Sequence, residues 1–125
     1  MSLGPGTLDL TVYQGDSFTL SAIWEIDGSP VDVTGYTAAL QVRKTHDAAP
    51  LLDLTSETPG AGQIQAITLG GVAGTITVEV DGADTAGLDF RKARYDLELT
   101  DAGGTGEVRT LLAGAVSLTR EITAT

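Results

Sequence analysis

Apolar and polar residues alternate in short runs along nearly the whole chain, and this two-residue period constrains the fold more than any other feature. In SFTLSAIWE, from Ser17, the residues Phe18, Leu20, Ala22 and Trp24 oppose Ser17, Thr19, Ser21 and Glu25, with Ile23 the one apolar residue on the polar side. Successive side chains of a strand point to opposite faces, so such a run is a half-buried β-strand. YTAALQVRK, from Tyr36, repeats the pattern, with Ala38, Leu40 and Val42 set against Ala39, Gln41 and Arg43. Similar runs are LDLTVY from Leu8, PLLDLTS from Pro50, GQIQAITL from Gly62, GTITVEV from Gly74, RYDLELT from Arg94, GEVRTLLAG from Gly106 and AVSLTREIT from Ala115. Eight or nine strands rich in Thr and Val, with Gly turns between them, predict an all-β fold of two packed antiparallel sheets or a small barrel.

The turns divide by their chemistry. DGSPVDVTGY, Asp27 to Tyr36, holds two glycine turns around a short apolar-acidic stretch. Gly accepts positive φ, Asp bonds nearby backbone and Pro fixes φ. The segment is predicted to cross between strands, with Val31 and Val33 pointing inward as a short edge segment, Asp32 facing water or a neighbouring N–H, and Gly35 at positive φ. Gln14-Gly15-Asp16 and Asp101 to Gly106 are predicted to be compact hairpin-type connections, the second mobile because its three glycines hold nothing in place. Thr55 to Gly62 is a longer connection. Asp81 to Phe90 fits one short helix, capped by Asp81 or Asp84, with Leu88 turned inward to close one end of the core. Around Gly114, LLAGAVSL reads either as one strand with a bulge or as two strands with a tight bend.

A chain of 125 residues with 42% hydrophobic residues makes one domain with one core. Met1 to Thr7 is expected to be a flexible arm ahead of a single domain spanning 8–125. No cysteine is present, which excludes disulfides and thiolate metal sites. No export signal or long apolar span is recognisable. Seventeen acidic against seven basic residues give a charge of −10. That charge disfavours nucleic acid and anionic membranes as partners, favours solubility and suits a basic partner.

Chemistry-bearing residues are few. His46 is the one histidine, in the polar segment KTHDAAP, which excludes a histidine metal cluster and reads as an exposed loop residue. The glycine pairs match neither a dinucleotide fingerprint nor a phosphate loop. Asp81, Asp84 and Asp89 come nearest to a carboxylate cluster; their spacing fits no EF-hand and their neighbours suggest capping, with calcium as the alternative. Trp24, Phe18 and Tyr95 fall on the apolar phase of their strands and are expected in the core, Trp24 near its centre. Tyr36, opening a strand, closes the rim or touches a partner. Catalytic residues, cofactors and metal ligands are expected to be none.

Several segments carry, in order, a resemblance to the immunoglobulin-like β-sandwich of tailed-phage virion proteins. They are Gly15-Asp16 before the first long strand, Asp27-Gly28 with Pro30, Asp32 with Thr34-Gly35-Tyr36, and Arg43 closing the next strand. Gly74 before TITVEV, Thr85 with Leu88, Tyr95-Asp96-Leu97 and Gly114 continue the order. The chain resembles the N-terminal domain of baseplate upper proteins and small tail or head-tail proteins. Those baseplate proteins continue into a helical part that holds receptor-binding proteins, whereas this chain stops at Thr125. The resemblance implies an immunoglobulin-like antiparallel β-sandwich of about eight strands, non-enzymatic, in the virion at the tail, baseplate or head-tail junction. Its partners would be other virion structural proteins, as a homo-oligomer or ring. Candidate contacts are Met1 to Thr7, Lys44 to Pro50, Asp101 to Gly106 and an open strand edge. The alternatives are a capsid decoration protein and a glycan-binding or adhesive β-sandwich module. The last would show Tyr13, Tyr36 or Trp24 exposed on one groove.

Overall fold

A computed structural model of the protein describes residues 6–120. In chain order the strands are β1 (Gly6–Thr7), β2 (Leu10–Tyr13), β3 (Phe18–Ile23), β4 (Glu25–Ile26), β5 (Ser29–Pro30), β6 (Thr37–Arg43) and β7 (Pro50–Thr55). Then come β8 (Ile64–Gln65), β9 (Ile67–Leu69), β10 (Thr75–Val80), a helix α1 (Gly82–Ala86), β11 (Lys92–Thr100) and β12 (Val108–Thr119). The strands of three or more residues are β2, β3, β6, β7 and β9 to β12, which matches the expected eight.

They form two main sheets. The larger runs β1-β12-β11-β6-β7-β8, with β2 also on β12; the smaller runs β3-β10-β9, and β4-β5 is a separate hairpin. Their inward residues share one core: Leu40, Val42, Leu54, Tyr95, Leu97, Leu99 and Val116 from the large sheet, and Leu20, Ile67, Ile76, Val78 and Val80 from the small one. Leu97 and Leu99 are wholly buried, each contributing about 1.5–3 kcal/mol by leaving water. At one margin the sheets are continuous, because Ala66, between β8 and β9, donates its N–H to Thr55 and accepts from Glu79.

The large sheet is mixed, not purely antiparallel. β1 and β2 both run parallel to β12, and β7 runs parallel to β8. Period-two alternation fixes which face is buried but is silent on strand direction. The Gln14-Gly15-Asp16 turn is accordingly not a hairpin: β2 pairs with β12 and β3 with β10, so the turn carries the chain from one sheet to the other. Thr85, buried in α1, fastens this crossing, its hydroxyl accepting from Gly15 N–H (3.0 Å) and donating to Asp16 O (2.7 Å). Leu88 is buried as expected, while Asp81 occupies the N-cap without a side-chain cap bond.

The N-terminal arm is likewise corrected at its inner end. Met1 to Pro5 lie outside the described residues, but Gly6–Thr7 pair with β12 opposite Leu112 and Ala113. Register is the same on both sides of Leu8-Asp9, with Thr7 opposite Ala113 and Leu10 opposite Val116. Gly114 lies in one continuous β12; the irregularity falls elsewhere, where Leu97 pairs with Leu112 and Glu98 with Thr110. A side chain at 114 would strike the Leu8 carbonyl, so close backbone approach explains this glycine.

The 27–36 segment follows its chemistry with one change. Asp27 and Gly28 both have positive φ, the twist that suits the tight β4-β5 hairpin. Asp32 Oδ1 accepts from Thr34 N–H at 2.9 Å and from its hydroxyl, and Gly35 has φ of 82°. Val33 is buried and Val31 packs on the core, yet neither lies in a strand. Val31 N–H reaches Trp24 O and Val33 N–H reaches Gly71 O, tying three loops together.

Candidate interaction surface

These tied loops assemble one end of the molecule. Gly103 N–H donates to Gly35 O at 2.9 Å, joining the β11-β12 loop to the 31–36 crossing. Within that loop Asp101 organises the backbone: its N–H reaches Glu107 O, its carbonyl accepts from Gly106 N–H, and its Oδ2 accepts from Thr105 N–H and hydroxyl. The tip expected to be mobile is therefore tied at several points, by Asp101 and by the Gly103 N–H.

Trp24 is not at the core's centre. It follows β3, where its N–H bonds Gly74 O, and sits half-buried at this end with Tyr36, ring centroids 5.8 Å apart and edge to face at 79°. The Arg109 guanidinium stands 5.9 Å over the Trp24 ring, and its Nη2 reaches Glu107 Oε1 at 3.1 Å. Arg109 Nε is buried without a hydrogen-bond partner. Burial first, then the Asp101 and Glu107 carboxylates, push the Tyr36 phenol above its usual range, so its hydroxyl stays protonated at neutral pH. In the segments that build this end, 24–36, 70–75 and 100–109, Arg109 is the one basic residue against Glu25, Asp27, Asp32, Asp101 and Glu107. The result is a small aromatic-guanidinium platform with an acidic surround. Sequence phase alone assigned Trp24 to the core; the signal for a rim position was its place next to the Asp27-Gly28 turn.

The remaining candidates lie elsewhere. Tyr13 is 55% exposed but belongs to the opposite end, where Tyr13 O accepts from Asp16 N–H. The three aromatics therefore do not line one groove. Phe18 is half-buried and packs on the core, and Tyr95 is buried with its hydroxyl on Leu8 O at 2.6 Å. His46 is fully exposed beside Asp47, 3.2 Å away. In the loop Lys44 to Pro50, Ala48 is held on both sides, its N–H donating to Thr45 O and its carbonyl accepting from Arg43 Nη1. Asp89 pairs with Arg120, and among the described residues Asp81, Asp84 and Asp89 form no group able to hold a metal ion. No described helix is long and apolar enough to cross a membrane.

A concavity of about 550 Å³ lies on the outer face of the large sheet and is lined by Gln41, Arg43, His46, Arg94, Asp96 and Glu98 among others. Arg43 and Arg94 stand directly opposite across β6 and β11, and Gln41 Oε1 accepts from Arg43 Nε and Nη2. Among the described residues no catalytic cluster is assembled here or at the loop end.

No family model and no curated protein sequence matches the chain. Among solved structures it is similar to the extracellular domains of the voltage-gated sodium channel beta4 subunit, described as parallel homodimers that explain a role in cell-cell adhesion. The TM-score is 0.49 at 12% identity, over 98% of each chain.

Proposed function

We propose that this chain is an immunoglobulin-like β-sandwich working as a non-enzymatic, adhesive protein-protein interaction module that grips a basic partner surface with its loop end. The observation that carries the reading is the Trp24-Tyr36-Arg109 cluster. Trp, Tyr and Arg are the residue types that dominate binding energy at interfaces, and here they sit together, half-exposed, Trp24 and Tyr36 on loops already tied by backbone bonds and Arg109 near the start of β12. Such loops have little conformational entropy left to lose on binding. The surrounding carboxylates would steer a basic partner and make association fall with salt.

A second reading places the same module in a phage particle, at the tail, baseplate or head-tail junction or as capsid decoration. It is favoured by the ordered turn-and-strand markers from Gly15-Asp16 to Gly114. Particle proteomics with copy numbers would separate these positions, since rings need few copies and shells many.

The test of the common reading is binding by the purified chain to immobilised candidate partners: basic protein ligands, cell surfaces and the products of neighbouring genes. Arg109→Ala should weaken capture at least about tenfold, a loss typical of an interface anchor, with the thermal melt retained. Capture indifferent to Arg109→Ala and Tyr36→Ala would refute the loop-end assignment.

A further inference from the structure

The small sheet ends on β3, which pairs with β10 on one side and, among the described residues, with no strand on the other. Neighbouring bonds reveal which backbone groups this leaves open. Trp24 N–H donates to Gly74 O across the β3-β10 margin, whereas Thr75 O and Glu79 N–H are turned the other way, to Gly70 and Ala66. Such groups alternate along an antiparallel ladder. Ile76, Val78 and Val80 thus serve β3, meeting Ala22, Leu20 and Phe18. Thr19, Ser21 and Ile23 consequently aim their N–H and C=O groups at the open edge, and all three residues are exposed.

Native edges of this kind are normally blunted by Lys, Pro, a bulge or a covering element. β3 has no such guard: Ser17 to Trp24 contains no charge and no Pro, and its pairing with β10 has no register shift. Exposed apolar residues gather on the same stretch of chain. Tyr13 comes just before the turn into β3, Ile23 ends the strand at 58% exposure, and Ile26 follows.

We propose that β3 is the seam of a twofold homodimer, pairing antiparallel with β3 of a second copy about an axis through Ser21, so that the two small sheets become one. The occupant is a second copy because the edge is self-complementary. Only the Ser21-centred register sets all three edge-facing residues against one another, Ser21 opposite the partner's Ser21 and Thr19 opposite the partner's Ile23. It also lays the Tyr13-Phe18 end of each copy beside the Ile23-Ile26 end of the other, covering the exposed apolar side chains mutually. Charge points to the same seam. Two copies at −10 each repel, and in this register Asp16 faces the partner's Ile26 and Glu25 the partner's Ser17, so no carboxylates oppose directly.

Sedimentation equilibrium on the purified full chain, at low and high salt, tests this. A reversible dimer is expected, tightening as salt screens the repulsion. Ser21→Lys sets two ammonium groups across the axis, and Ser21→Pro deletes the central edge N–H; each should weaken association about tenfold or more. Ser21→Thr and Arg109→Ala should leave it unchanged, and circular dichroism melts establish that each variant is folded. A monomer at every concentration, or a dimer indifferent to both Ser21→Lys and Ser21→Pro, overturns the seam. Partner capture at the loop end is scored separately, so the two assignments fail independently.

Discussion

Substituting Gly114 by Ala probes how the N-terminal strand is held. A methyl group there would stand 2.3 Å from Leu8 O, 2.9 Å from Leu8 C and 3.0 Å from Asp9 Oδ1. Backbone atoms cannot rotate away as a long side chain can, so residues 8 and 9 must lift from β12. Three hydrogen bonds go with them: Leu8 N–H to Ala113 O at 3.1 Å, Ala115 N–H to Asp9 Oδ1 at 3.0 Å, and Tyr95 hydroxyl to Leu8 O at 2.6 Å. At about 1 kcal/mol net each, their loss costs about 3 kcal/mol. Replacing a strand glycine by alanine returns about 0.5–1 kcal/mol through the unfolded chain. The net expectation is a destabilisation of about 2 kcal/mol, seen in urea unfolding as a midpoint lowered by about 1 M at unchanged slope. Because Tyr95→Phe removes one of the same three bonds, the double variant should lose less than the sum of the two single losses. A Gly114→Ala variant within about 0.5 kcal/mol of the parent, or strict additivity with Tyr95→Phe, would refute the close-approach account.

Other outcomes follow from the same contacts. Thr85→Val leaves the Gly15 N–H and Asp16 carbonyl without their shared hydroxyl and should cost about 1–3 kcal/mol by thermal or urea unfolding, whereas Thr85→Ser should retain most of the stability. Burial, and then the Asp9 carboxylate, push the Tyr95 phenol above the usual tyrosine range. The unfolded chain therefore releases this proton first, so stability is full below pH 10 and falls as pH rises toward the folded-state value. Tyr95→Phe should flatten part of that alkaline limb in pH-dependent melts, with Tyr36, also raised, contributing in the same direction. Gly35→Val, forcing a β-branched residue to φ of 82°, should cost about 1 kcal/mol or more in the same assay.

Alternation made the burial pattern of β3, β6, β10 and β11 legible because a buried face imposes period two directly on residue type. Strand direction was not legible for β1, β2 and β8, since a parallel and an antiparallel neighbour ask the same of a half-buried side chain. The Gln14-Gly15-Asp16 turn shows the cost of that ambiguity. Glycine and aspartate turns suit a hairpin and a crossing between sheets equally, and what separates them here is a hydroxyl seventy residues away, on Thr85. Gly114 was ambiguous for a related reason: its cause is the carbonyl of Leu8, distant in sequence and brought near only by parallel pairing.

The candidate site was obscured by the same long-range dependence, acting in the opposite direction. Trp24 occupies the apolar phase of its run, and a period-two reading sends it inward with Leu20 and Ala22. The pattern holds as far as Ile23; then Asp27-Gly28 folds the next residues into a hairpin, and Trp24 is left at the last inward position, where the core has already narrowed to a rim. An apolar phase therefore signals burial only while the strand and the neighbour it pairs with continue. At the end of a strand the same phase delivers a large aromatic to the border between core and solvent. There the Tyr36 ring packs with it edge to face and Arg109 stands over its ring. The two glycine turns of DGSPVDVTGY, which in sequence merely punctuate strands, place that border: the first fixes where Trp24 stops, the second where Tyr36 starts.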